Sequence, residues 1–184
     1  MTTLAGGGLG ALASPAAAQN PHYVGKVDTR LSCSSDPLNS CLSVSGKVAG
    51  VGNTDRYARF SADVRVFQEC VTSNDKHHHP PSQPQGAGEE VTAGARLTPE
   101  NGKILFDFTI CADDLPDEFT TPLDCSPGHD RRVVVTYDNP ELCWDLDLSG
   151  DDLDANGEVI PENVECNSMV KRFGDETCSA VLDE

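Results

Sequence analysis

The stretch Lys103-Ile104-Leu105-Phe106-Asp107-Phe108-Thr109-Ile110 decides the fold class. Ile104, Phe106, Phe108 and Ile110 recur at every second position, and side chains of an extended chain alternate between two faces, so one face is built for a core. Just before it, Pro99-Glu100-Asn101-Gly102 is turn chemistry, because asparagine and glycine tolerate the positive φ of tight turns. Before the turn, Val91, Ala93, Ala95 and Leu97 form a second alternating row. Together these pieces predict a β-hairpin.

The same period recurs on either side. Leu42, Val44 and Val48 alternate with polar residues ahead of Gly50-Val51-Gly52-Asn53. Ala58, Phe60, Ala62, Val64 and Val66 form an inward row with Arg59, Ser61, Asp63 and Arg65 on the opposite face. Val133 to Tyr137, and then Leu142, Trp144, Leu146 and Leu148, complete the set. No segment has a helical period. About seven strands with turns at this spacing predict an all-β chain, a two-sheet antiparallel sandwich of immunoglobulin-like type. Trp144, the single tryptophan, has inward parity and belongs to the core, which leaves little aromatic surface for stacking on sugars.

Length and charge bound the function. The chain has 184 residues, 30 Asp and Glu against 13 Lys and Arg, and a formal net charge of −17. Nucleic acid and anionic membranes both select cationic surfaces, so neither is an expected partner. The acidity is uneven: residues 1–70 hold 6 basic and 5 acidic residues, whereas residues 138–184 hold 2 and 14. A halophilic, salt-adapted surface would spread its carboxylates more evenly. The localisation points instead to a divalent cation or a basic protein as partner.

The eight cysteines include no C-x-x-C pair, which favours disulfides and an oxidising compartment. Leu4 to Ala13 is a short apolar, glycine-rich run, and Ala16-Ala17-Ala18 suits cleavage before Gln19. The run resembles the h-region of twin-arginine export signals, without the arginine pair. The first positive residue is Lys26, so the usual basic n-region is missing, and the expectation is either a start codon placed too far downstream or a trimmed chain. The expected organisation is a signal-peptide-like segment at 1–18, a sandwich at 19–142 and an acidic extension at 143–184 that packs on or continues the sandwich. The product is expected to be secreted, with no membrane span.

Two long loops, Thr72 to Glu89 and Ala112 to Asp130, interrupt the strands, and cysteines flank both. Cys70 continues the row Ala58 to Val66, which favours a core-facing bridge to Cys125. Cys111 and Cys143 have the opposite parity to Ile110 and Leu142 and could meet on an outer face. Cys33 with Cys41 and Cys166 with Cys178 then remain as local bridges. Eight cysteines allow 105 connectivities, and register alone steers this choice.

Three constellations could carry chemistry. Asp152-Leu153-Asp154-Ala155-Asn156-Gly157-Glu158 matches the D-x-D-x-N-G opening of a calcium loop, whose alternate oxygens converge on a hard cation. Position twelve is Asn163 instead of glutamate, with Glu162 beside it; an overlapping register starting at Asp145 ends at Asn156. His77 and His79, two residues apart before Pro80-Pro81, could share zinc or copper, with His22 or His129 as distant helpers. Ser126, His129 and Asp130 contain the letters of a hydrolytic triad but crowd onto one loop, whereas triads are assembled from separate elements. No catalytic residue and no required cofactor can be picked out, calcium excepted as a candidate.

Several motifs occur in a familiar order: Asn20-Pro21-His22-Tyr23, Ala49-Gly50-Val51-Gly52-Asn53, Cys70 before a polar loop, Pro99 to Lys103, Cys125-Ser126-Pro127-Gly128, and Val133 to Tyr137. Over residues 20–140 the chain resembles small secreted proteins of bacteria and haloarchaea that begin with an NPHF-like motif. That resemblance implies export and a β-sandwich, and it supplies no catalytic residues. The chain departs from it in the three histidines after Cys70 and in the segment from Cys143 to Glu184. The leading expectation is a secreted, non-catalytic surface or binding module. The alternatives are a calcium-binding extracellular protein ordered by the D-x-D-x-N-G loop, and an extracellular hydrolase.

Overall fold

The computed structural model describes residues 20–72 and 87–182. The signal-like segment 1–18 and the pair His77 and His79 lie outside the described residues. β1 (His22–Tyr23) and β2 (Asp28–Ser32) share one edge of β3 (Cys41–Ala49), and β6 (Lys103–Cys111) pairs along its other edge. In the second sheet, β4 (Arg56–Thr72) lies between β5 (Ala87–Leu97) and β7 (His129–Asp145). The far edge of β7 carries β8 (Ser168–Arg172) and β9 (Glu176–Leu182). All these pairings are antiparallel. With the broken edges β1/β2 and β8/β9 each counted as one, this is an immunoglobulin-like order in which the fourth strand joins the sheet of β4 and β7.

The inward rows form the core. Leu42, Val44, Phe60, Val64, Ile110, Val133, Tyr137 and Trp144 are fully enclosed between the sheets. Val133 to Tyr137 and Leu142 to Trp144 belong to one strand, β7, although their inward positions are odd in the first stretch and even in the second. A β-bulge switches the parity: Ser61 opposes Glu141 and Asp63 opposes Asp138, so β7 carries one extra residue there. Asn139 has φ 51°, and Pro140 has no N–H to give the ladder. The neighbouring edge breaks at the same level. Phe173 N–H donates to the Pro140 carbonyl at 2.9 Å, and the Asp175 carboxylate accepts the Asn139 N–H at 2.9 Å. β7 thus runs without interruption past residue 142, and β8 and β9 extend its sheet.

The turn before β6 behaves as its residues dictate, with φ 53° at Asn101 and 71° at Gly102. The predicted hairpin does not form beyond it. Glu100 and Lys103 bridge, and then β5 pairs with β4 while β6 pairs with β3, so the turn is an arch between sheets. Turn chemistry specifies the reversal of the chain, whereas the partner of each strand is set by long-range packing.

Four disulfides close the structure. Cys70–Cys125 is the predicted pair, but Cys70 is exposed at the strand end; the inward row has already passed through Gln68 into a polar cluster. The other three predicted bridges are replaced. Cys111 meets Cys41, directly opposite on β3, because both lie on the outer face of the smaller sheet while Cys143 belongs to the other sheet. Cys143 joins Cys166, and Cys33 crosses to buried Cys178 on β9, 145 residues away. Short sequence separation misled for Cys33, because β2 and β9 edge opposite sheets on the same side.

Candidate functional site

The acidic segment 146–167 lies over the outer face of the larger sheet. Tyr57, Cys143 and Asp145 have outward parity yet are buried. The Cys143–Cys166 bridge pins the segment there. Arg56 Nη1 donates to the Leu146 carbonyl, and Arg96 Nη1 donates to the Gly157 carbonyl at 2.7 Å. Inside it the D-x-D-x-N-G stretch forms a tight turn, with Asp154 N–H donating to Glu158 O at 2.7 Å and Gly157 at φ 80°.

The first two candidate ligands face the loop itself. The Asp152 carboxylate is buried and accepts the Ser149 N–H at 2.6 Å and its hydroxyl at 2.8 Å. Asp154 Oδ1 accepts the N–H groups of Asn156 and Glu158, both at 2.8 Å. These amides, that of Glu158 foremost, hold the Asp154 carboxyl below the usual carboxylate range. Asn156, Glu158 and Glu162 are exposed, and Asn163, at position twelve, donates to the Asp151 carbonyl at 2.8 Å. Among the described residues, the one group of three metal-type ligand atoms within 4.8 Å of one another is Cys41, Cys111 and Asp113, and its two sulfurs are bonded to each other.

Ser126 is exposed, and His129 and Asp130 are half-buried where β7 begins. The hydrogen bond between them is a backbone one, His129 N–H to Ser126 O at 3.1 Å. His22 is likewise spent locally, its ring Nδ1 lying 2.9 Å from the Asn20 carbonyl. Tyr23, the last residue of the Asn20-Pro21-His22-Tyr23 motif, reaches across the sandwich to Trp144 and Met169.

The two long sides of the sandwich differ. On one side β2 and β9 are stapled by Cys33–Cys178. On the other, β5 and β6 diverge from the arch, and a groove of about 480 Å³ opens between their edges. Buried Val91 and Leu115 line it alongside Glu89, Glu90, Thr109 and Asp114. Glu90 also borders a smaller depression of about 190 Å³ beside the β7 bulge, with Asp63 and Glu141. Elsewhere on the larger sheet three pairs of charges are matched across strands: Arg132 with Glu69 at 3.0 Å, Arg65 with Asp138 at 3.1 Å, Arg172 with Glu141 at 2.8 Å. Glu89, Glu90 and Asp114 have no Lys or Arg partner among the described residues. Sequence reading missed this rim, because its members become neighbours only when β5 and β6 are brought together. The available signal was the absence of Lys and Arg from residues 104–130, which hold 7 acidic residues.

By its own topology the chain is a disulfide-stapled, all-β sandwich of two antiparallel sheets. No family model matches it, and no curated protein does. Among solved structures, the sporulation control protein Spo0M of Bacillus subtilis is similar at 17% identity, over 85% of this chain and 47% of that one, with a TM-score of 0.19. The chain thus spans about half the length of that protein, and a superposition this poor carries no function across. Among the described residues no helix is long and apolar enough to cross a membrane.

Proposed function

We propose that the chain is an exported, non-catalytic binding module. The observation that carries this reading is the asymmetry of the sandwich, covalently stapled along one side and open along the other at a groove whose carboxylates, Glu89, Glu90 and Asp114, have no Lys or Arg partner among the described residues. A rigid scaffold with an open groove is suited to holding a ligand against its surface, at little cost in ordering. Export is supported by the pairing of all eight cysteines, which fits an oxidising compartment, and by the NPHF-type resemblance. The test is retention of soluble probes on the immobilised oxidised protein: polylysine, a polyuronate, chitin fragments and casein. Saturable retention of at least one intact probe is expected. Retention of none, or cleavage of a probe, overturns the reading.

A second reading makes the D-x-D-x-N-G loop a calcium site, with Asp152, Asp154, Asn156, Glu158 and Glu162 as oxygen donors. What favours it is the exposure of Asn156, Glu158 and Glu162 at the surface of the turn. Melting in calcium against EDTA tests it, and coincident curves remove it.

A further inference from the structure

The open side of the sandwich differs from the other sheet edges in a way that selects an occupant. Sheet edges invite pairing by other strands, and natural proteins blunt them with lysine, proline, bulges or short length. The β8/β9 edge is interrupted opposite Pro140 and carries Lys171 and Arg172. The β1/β2 edge is broken around Gly25. β5 is unlike both. It runs eleven residues, Ala87–Leu97, with no lysine or proline and no register shift against β4. Among the described residues nothing pairs with its outer edge. Its one cation, Arg96, is committed to Asp55 at 2.7 Å and to the Gly157 carbonyl at 2.7 Å. What guards this edge is negative charge, from Glu89 and Glu90 on β5 and Asp114 across the groove.

We propose that β5 accepts an extended, lysine- or arginine-bearing peptide segment as an added strand, with cationic side chains on Glu89, Glu90 and Asp114. This rests on the binding-module reading and names its partner. Strand addition supplies affinity through main-chain hydrogen bonds and specificity through alternate side chains. In an added strand one set of side chains faces the groove, which passes over buried Val91 and Leu115 between Glu89 and Asp114, the latter also accepting the Cys111 N–H at 2.9 Å. The other set faces the outer surface, beside Glu90 and Asp63, which oppose each other across β5 and β4. That like-charge pair is unfavourable in isolation and is relieved by a cation laid beside it. The same carboxylates oppose self-pairing, because a second copy would bring its own Glu89 and Glu90 against them. The edge thus rejects its own kind and attracts basic strands.

The test uses the oxidised full chain and two capped octapeptides, one repeating Lys-Lys-Val-Val and the other Glu-Glu-Val-Val, so that each face of an added strand carries both residue types. Binding is followed by calorimetry, and backbone contact by amide hydrogen exchange. The lysine peptide is expected to bind and to slow the exchange of the outward-facing amides of β5 by about tenfold or more, while the glutamate peptide does neither. Glu89→Lys with Glu90→Lys should weaken binding by about tenfold or more, since two close attractions become repulsions. Asp151→Lys with Glu165→Lys, on the acidic segment across the larger sheet, should change it by less than about twofold. Equal weakening by the two pairs would mean general attraction to an acidic protein and would overturn the proposal. So would protection elsewhere than on β5, or slow β5 exchange that grows with protein concentration before peptide is added, which marks a second copy as occupant. If the lysine peptide fails while another probe is still retained, strand addition falls and the binding-module reading stands.

Discussion

The indole Nε1–H of Trp144 donates a 3.1 Å hydrogen bond to the hydroxyl of Tyr23 on the opposite sheet, and that hydroxyl donates onward to the Met169 carbonyl at 2.6 Å. Trp144 is fully buried, so the indole has no water to fall back on. Tyr23→Phe is therefore expected to cost about 1 to 3 kcal/mol, the penalty for a buried donor left unmade. Urea unfolding followed by fluorescence measures it cleanly, because Trp144 is the single tryptophan.

Tyr23 also sets an alkaline limit. Burial pushes the Tyr23 hydroxyl up to about 12. A raised folded value means the protonated form is favoured by folding. Its contribution is complete below the ordinary tyrosine value near 10 and is lost as pH rises towards about 12. Stability of the wild type should fall across that window. The fall should be shallower in Tyr23→Phe, though still present, since burial also raises Tyr57 and Tyr137.

The bridge Cys33–Cys178 closes a loop of 145 residues, against 23 for Cys143–Cys166. In the chain-entropy account the first is worth about 5 kcal/mol and the second about 3. Replacing both members of the first pair by serine should lower the melting temperature by roughly 10 to 20 °C, and replacing the second pair by less. Scanning calorimetry on the two variants checks the ranking. Thiol titration of the oxidised wild type should find no free thiol.

Gly94 is fixed by Tyr57. A Cβ at position 94 would stand 2.1 Å from the Tyr57 hydroxyl oxygen and 2.7 Å from its ring carbon Cζ. Tyr57 is buried and cannot swing away freely. Gly94→Ala should cost about 1 to 3 kcal/mol by overpacking, and most of that cost should vanish in a Tyr57→Val background. A double-mutant cycle by urea denaturation measures the coupling.

Strand parity was legible because it is local. Rows such as Ala58 to Val66 and Ile104 to Ile110 say which face is apolar, and burial follows them. Parity does not say which strand lies opposite. Cys111 reads as outward-facing from Ile110 alone, but its partner Cys41 depends on the β3–β6 register, set 70 residues apart. β2, β8 and β9 were silent for another reason: edge strands bury few side chains, and in β9 only Cys178 is buried. Asn139-Pro140 looks like the gap between two strands because bulges and turns use the same residues. For the site, the D-x-D-x-N-G spacing revealed a turn and its carboxylates, whereas the groove rim needed Asp114 carried to Glu89 by the arch at Asn101-Gly102.

Asp154 organises its turn as an anion. Its carboxylate accepts the amides of Asn156 and Glu158, and its folded value is depressed, so its contribution is present above the ordinary carboxylate range and is lost as pH falls through the lower folded value. Asp154→Ala should speed amide exchange at Asn156 and Glu158 by about tenfold or more at neutral pH, while global melting changes little, because the turn is exposed. Asp154→Asn retains one acceptor oxygen and should fall between the two. Since the protein's own amides already satisfy Asp154, the exchange rates in EDTA should equal those in buffer alone. Slowing by micromolar calcium in the wild type, absent from Asp154→Ala, would instead assign the turn to cation binding.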